Sequence, residues 1–184
     1  MIYVMLAPGF EEIEAVTPID ILRRAGFTVQ TVAVQTDSLN MSIEGAHKLS
    51  ILCDLSIQEA DLMTAELVVL PGGMPGTLNL EKDEHLRKAL TFRMKSNLPV
   101  AAICAAPSIL GNLGLLKGRK ATCYPGLEEK LFGATKLSDP VVVDGKLVTS
   151  KGPGTAMAFS LALVELLKNP EVAESIASAM QYDC

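Results

Sequence analysis

LPVAAICAAPSILGNLGLL, residues 98–116, is the stretch on which the fold assignment turns. It carries no charge over nearly the length of a membrane span. Yet Pro99, Pro107, Gly111, Asn112 and Gly114 break any single helix into pieces. The reading is a buried strand, a sharp turn at Cys104 and a short buried helix, with a membrane span as the second reading.

Two more short apolar runs have the same form. Residues 2–6 end in Ala7-Pro8-Gly9, and residues 66–70 end in Pro71-Gly72-Gly73. Both read as buried strands closed by turns. Residues 11–25 have helical spacing, acids in the first turn and Gly26 after the last, with a kink expected at Pro18. Residues 27–34 alternate as a strand, and residues 41–53 suggest two short strands around Gly45. Further on, 83–95 reads as an amphipathic helix and 119–124 as a strand. Residues 141–143 and 146–149 form a hairpin about Asp144-Gly145. Residues 156–168 and 171–180 are helices separated by Asn169-Pro170. Apolar strands alternating with helices indicate one α/β domain over residues 1–184, with a mostly parallel sheet covered on both faces. Ligands of such sheets bind beyond the carboxyl ends of the strands, where the turns at 7–10, 71–76 and 104–107 fall.

Composition narrows the function classes. A chain of 184 residues, 49% hydrophobic and 20% charged, can bury one large core, which excludes disordered and collagen-like readings. A net charge of −5 argues against a nucleic-acid surface, and the longest basic cluster, Lys117, Arg119 and Lys120, is small. Four cysteines (Cys53, Cys104, Cys123, Cys184) without CxxC spacing, and two histidines (His47, His85), are poor material for a zinc site. The opening residues lack a basic n-region, so the expectation is a cytoplasmic protein with reduced thiols.

Small residues on both sides of Cys104 let the backbone turn sharply into the next helix. The corner presents the sulfur at the mouth of the sheet, close to helix N–H groups that favour a thiolate. The plain structural reading of a cysteine is a small buried hydrophobe, and it suits Cys53, Cys123 and Cys184 better.

Four collinear segments carry a resemblance: APGFEEIEA at 7–15, LPGG at 70–73, AAICA at 101–105 and KGPGT at 151–155. Together they resemble the ThiJ/PfpI superfamily, and within it the branch of the Parkinson's-disease protein deglycase and its bacterial relatives. The resemblance implies a flavodoxin-like three-layer sandwich, a homodimer, and Cys104 as an oxidation-sensitive nucleophile contacted by Glu14. It also implies an oxyanion hole from the backbone N–H groups of Gly73 and Ala105, a pocket lined by Gly72, Tyr124 and Pro153, and no metal or cofactor. An ionised carboxylate beside the sulfur would raise the thiol's pKa, so Glu14 helps only if burial keeps it protonated. The plain alternative is a first-turn acid favoured by the helix dipole, a description that fits Glu11 and Glu12 better.

The sequence departs from the pattern at Tyr124, where several members have histidine, and at Ala105, where the protease-like branch has one. No histidine follows Cys104, so protease and amidotransferase readings lose their general base. His47 and His85 read as surface residues, and the glycine-rich 71–76 run matches no phosphate-cradling motif. The expected function is a glyoxalase or deglycase acting on methylglyoxal-type α-oxoaldehydes or their early adducts. The alternative is a non-enzymatic redox sensor or stress chaperone acting through oxidation of Cys104. Small reactive aldehydes are the expected partners, rather than nucleic acid or membrane.

Overall fold

The computed structural model describes residues 1–34 and 41–182. The expectation for Cys184 lies outside these residues. In chain order the elements are β1 (Ile2–Leu6), α1 (Glu12–Arg24), β2 (Val29–Ala33), β3 (Ser42–Glu44), β4 (Ser50–Leu52), β5 (Leu55–Ser56), β6 (Leu67–Leu70), α2 (Gly76–Lys82), α3 (Glu84–Lys95), β7 (Val100–Ile103) and α4 (Pro107–Asn112). There follow β8 (Lys120–Ala121), β9 (Thr135–Lys136), β10 (Val141–Asp144), β11 (Leu147–Ser150), α5 (Ala156–Leu167) and α6 (Pro170–Ala179).

Seven strands form one sheet in the order β10-β11-β7-β6-β1-β2-β5. Only β10 runs antiparallel within it. Alternate residues of each central strand feed opposite cores, as the two-residue period of a strand requires. Ile2, Val4, Leu6, Val69 and Ile103 pack with Ile21, Leu22, Phe159 and Ile176 of α1, α5 and α6. Tyr3, Met5, Val68, Leu70 and Ala102 pack with Leu86, Leu90 and Ile109 of α3 and α4. Both faces of the sheet are therefore covered, which is the expected three-layer architecture. The 98–116 stretch divides into β7, an elbow and α4, so its alternative as a membrane span fails. Among the described residues, no helix is long and apolar enough to cross a membrane.

Several local expectations shift. The hairpin pairs Asp144 with Leu147, so its two-residue turn is Gly145-Lys146 rather than Asp144-Gly145. Gly145 takes a φ of +61°, at the first turn position where a side chain would be strained. The strand expected over 119–124 shrinks to β8, because the next donors leave the ladder: Thr122 N–H goes to Thr149 Oγ1 and Tyr124 N–H to the Cys104 carbonyl. Helix α2 begins at Gly76, inside what reads as a turn. Strand β11 lies parallel to β7, so the loop after it joins the loops after β7, β6 and β1 at one edge of the sheet.

Arg93 on α3 is fully buried. Its guanidinium donates to the carbonyls of Leu62 and Ala65 at 2.8 and 2.9 Å and to that of Pro99 at 2.8 Å. It thereby fastens α3 to the segments that enter β6 and β7. Burial pulls its pKa down to about 10, still charged at neutral pH. Arg93→Met leaves three carbonyls without their donor and should cost about 3 kcal/mol or more in urea unfolding, with m unchanged.

Candidate active site

Strand β7 delivers the chain to Cys104, which turns it with a left-handed φ of +64°. That conformation costs a non-glycine residue about 1–2 kcal/mol. Backbone contacts on both sides hold it: Cys104 N–H donates to the Ser150 carbonyl at 2.9 Å, and its own carbonyl accepts from Tyr124 N–H at 2.8 Å. Ala105 and Ala106 are buried and small enough for α4 to start at Pro107. The sulfur-bearing residue is 9% exposed.

Helix α1 brings Glu14 to the same place, fully buried. Its Oε2 accepts from Gly72 N–H at 2.8 Å. A Cβ on Gly72 would lie 2.6 Å from Cys104 Cβ and 2.7 Å from Glu14 Oε2, so only glycine lets the cysteine and the carboxyl meet there. The other oxygen, Oε1, is buried and has no hydrogen-bond partner.

The two groups titrate against each other. Burial pushes Glu14 up to about 7; its hydrogen bonds with Cys104 and Gly72 N–H oppose this, and the charge of Glu11 adds to it. Burial, then the charge of Glu14 and the hydrogen bond with it, push the Cys104 thiol up to about 12, against the backbone N–H groups of Gly73 and Ala105. The acidic thiol expected from a helix N-terminus is therefore not the ground state while Glu14 is ionised. Helix α4 has only six residues, and burial outweighs its dipole. Cys53 and Cys123 are also pushed up, to about 11 by burial, without such amide donors.

The loop after β11 completes the cluster. Gly152 N–H donates to Thr155 Oγ1 at 3.1 Å, and Thr155 Oγ1 meets Ser150 Oγ at 2.6 Å. Gly152 lies against the ring of Tyr124, which is 48% exposed. Pro153 is half-buried on this loop, and its carbonyl accepts from Ala156 N–H at the start of α5.

Sequence reasoning missed one part of the neighbourhood. Glu12, read as a dipole-favoured first-turn acid, is buried. It accepts from the backbone N–H groups of His47 and Leu49 and pairs with His47 Nδ1 at 2.8 Å. Burial raises its pKa, but these bonds win and hold it below the usual range; the same bond, with the charges of Glu11 and Glu12, raises His47. Ligand atoms of Glu11, Glu12 and His47 come within 4.8 Å of one another. With the Glu12 oxygens already holding three donors, the group is a clamp between the β3–β4 turn and α1. His85 is exposed in the first turn of α3. A groove of about 690 Å³ between α5 and α6, lined by Ala158, Leu161, Ala173 and Ala177 among others, includes neither Cys104 nor Glu14.

A family model described as "DJ-1/PfpI family" matches residues 1–166. Protein DJ-1 homolog B of Arabidopsis thaliana is 39% identical over 89% of this chain, which spans 37% of that relative's length. A Caenorhabditis elegans protein named glutathione-independent glyoxalase DJR-1.2 is 33% identical over 90% of this chain and 87% of its own. The oxidised DJ-1 of Toxoplasma gondii superposes with a TM-score of 0.94 at 34% identity, covering 100% of this chain and 98% of the other.

The coupling gives a signed expectation. Above pH 7 the ionised Glu14 holds the Cys104 thiol up, so a neutral amide in its place should lower the thiol's pKa. Glu14→Gln should therefore speed alkylation of Cys104 at about pH 8 by roughly tenfold, measured by mass spectrometry of the modified peptide.

Proposed function

Because the chain belongs to the DJ-1/PfpI family, we propose that its single domain is a cysteine-dependent, cofactor-free enzyme of α-oxoaldehydes. It acts on methylglyoxal, as a glyoxalase, or on its early adducts with thiols, amines or guanidinium groups, as a deglycase. The observation that carries the reading is the meeting of Cys104 and Glu14 across Gly72, with the Gly73 and Ala105 amides aimed at the sulfur. The glyoxalase-named relative supports the same chemistry.

Glu14 takes the Cys104 proton as the sulfur attacks the aldehyde carbon, so the thiolate exists only while the carboxyl is neutral. The amides of Gly73 and Ala105 hold the developing alkoxide. Glu14 returns its proton to that oxygen, giving a hemithioacetal. It then removes the hydrogen from the same carbon and delivers it to the adjacent one through an enediol. The product is a lactoyl thioester of Cys104, which water cleaves to lactate and free thiol. Methylglyoxal and one water thus become lactate without an external oxidant or reductant. A carboxyl titrating at about 7 suits a group that must accept and donate in one cycle. Lactate formation from methylglyoxal should fall about a hundredfold or more in Cys104→Ala and in Glu14→Gln. Wild-type rates in both variants, or no lactate from the wild type, defeat the proposal. Faster alkylation but slower turnover in Glu14→Gln separates thiol acidity from catalysis.

The proposed working unit is a homodimer in a reducing cytoplasm, where Cys53, Cys104 and Cys123 stay free and buried. Ile13 and Val16 on α1 and Leu49 and Leu52 of the β3–β4 hairpin are large apolar side chains in the open, at 53%, 49%, 63% and 75% exposure. The Glu12 clamp joins these two elements, and a second copy is the occupant such a surface fits. Sedimentation should show a dimer for the wild type and a monomer for Leu52→Glu; a monomeric wild type overturns the assembly without touching the chemistry.

A further inference from the structure

Tyr124 stands at the boundary between the cluster and solvent. A Cβ on Gly152 would come within 3.3 Å of Tyr124 Cδ2 and 3.6 Å of Cε2, and 3.9 Å from Glu14 Oε1. The ring edge and the carboxyl oxygen therefore face the same small space, one from the solvent side and one from the core. Gly152 has an extended φ of 168°, which any residue adopts, so glycine is needed there for room and not for its backbone. Oε1 on the inner side is buried and accepts no hydrogen bond from the protein. A buried carboxyl oxygen without a donor would attract water if water could reach it.

We propose that the hydrocarbon edge of Tyr124, laid across the bare backbone of Gly152, is the seal that keeps water off Glu14 Oε1. Tyr124 is then a positioning residue that acts through Glu14. Its backbone is fastened without help from the hydroxyl: its N–H donates to the Cys104 carbonyl at 2.8 Å, and its carbonyl accepts from Leu127 N–H at 3.0 Å. The desolvation that raises Glu14 needs such a wall, since one water on Oε1 would stabilise the charged form. The titratable groups around Glu14 are Cys104 on the elbow and Glu11 at the start of its own helix, with the ring of Tyr124 coming from the segment after β8. The bearing of the seal on turnover rests on the enzymatic reading above; the seal itself does not.

The test is infrared difference spectroscopy of the protonated Glu14 carbonyl band, assigned by its loss in Glu14→Gln and followed against pH. Tyr124→Ala admits water, so the midpoint should fall by about one unit or more from its wild-type position. Tyr124→Phe keeps the ring edge and should titrate with the wild type. Should Tyr124→Ala fail to fold, Tyr124→Val uncovers Oε1 in part and should show a smaller fall. An unmoved midpoint in the folded truncation overturns the proposal, as does an equal shift in Tyr124→Phe, which would assign the effect to the hydroxyl. Absence of lactate from the wild type would defeat the enzymatic reading and leave this titration intact.

Discussion

The contact of a carboxyl with a cysteine across a residue that has no side chain is the constraint on which this site depends. Gly72 donates its N–H to Glu14, and its bare Cα lets Cys104 approach from the other side. Any side chain there would have to displace either the cysteine or the carboxyl. The two groups come from segments ninety residues apart in the chain, and the parallel sheet brings them together. Strands β11, β7, β6 and β1 lie side by side and end at one edge, so the loops that follow them are neighbours there.

Burial then sets the chemistry. It raises both members of the pair, and the amides of Gly73 and Ala105 are too few to make the sulfur anionic beside a charged carboxyl. The result is a pair held toward its neutral forms, rather than a standing thiolate.

Much of the architecture was legible in the sequence because β1, β6 and β7 are short apolar runs closed by glycine and proline, and because α1, α3 and α6 carry end signals that the structure uses. Asp83 and Asn169 cap their helices through side-chain oxygens. Cys104 could be picked out by the small residues on either side, while Glu14 followed from its depth in α1 and from the family resemblance. The start of α2 was hidden because the glycine and proline residues before it read as a turn. The Glu12–His47 clamp was hidden because it joins residues thirty-five apart with no shared motif. The direction of the thiol's titration was misjudged for a related reason: chain neighbours reveal a helix terminus, whereas desolvation depends on what folds over the top.

Both hydrogen bonds that hold Cys104 in its left-handed turn are made by backbone atoms, to Ser150 and Tyr124, and neither involves sulfur. A change confined to the sulfur therefore touches neither of the bonds that hold the elbow.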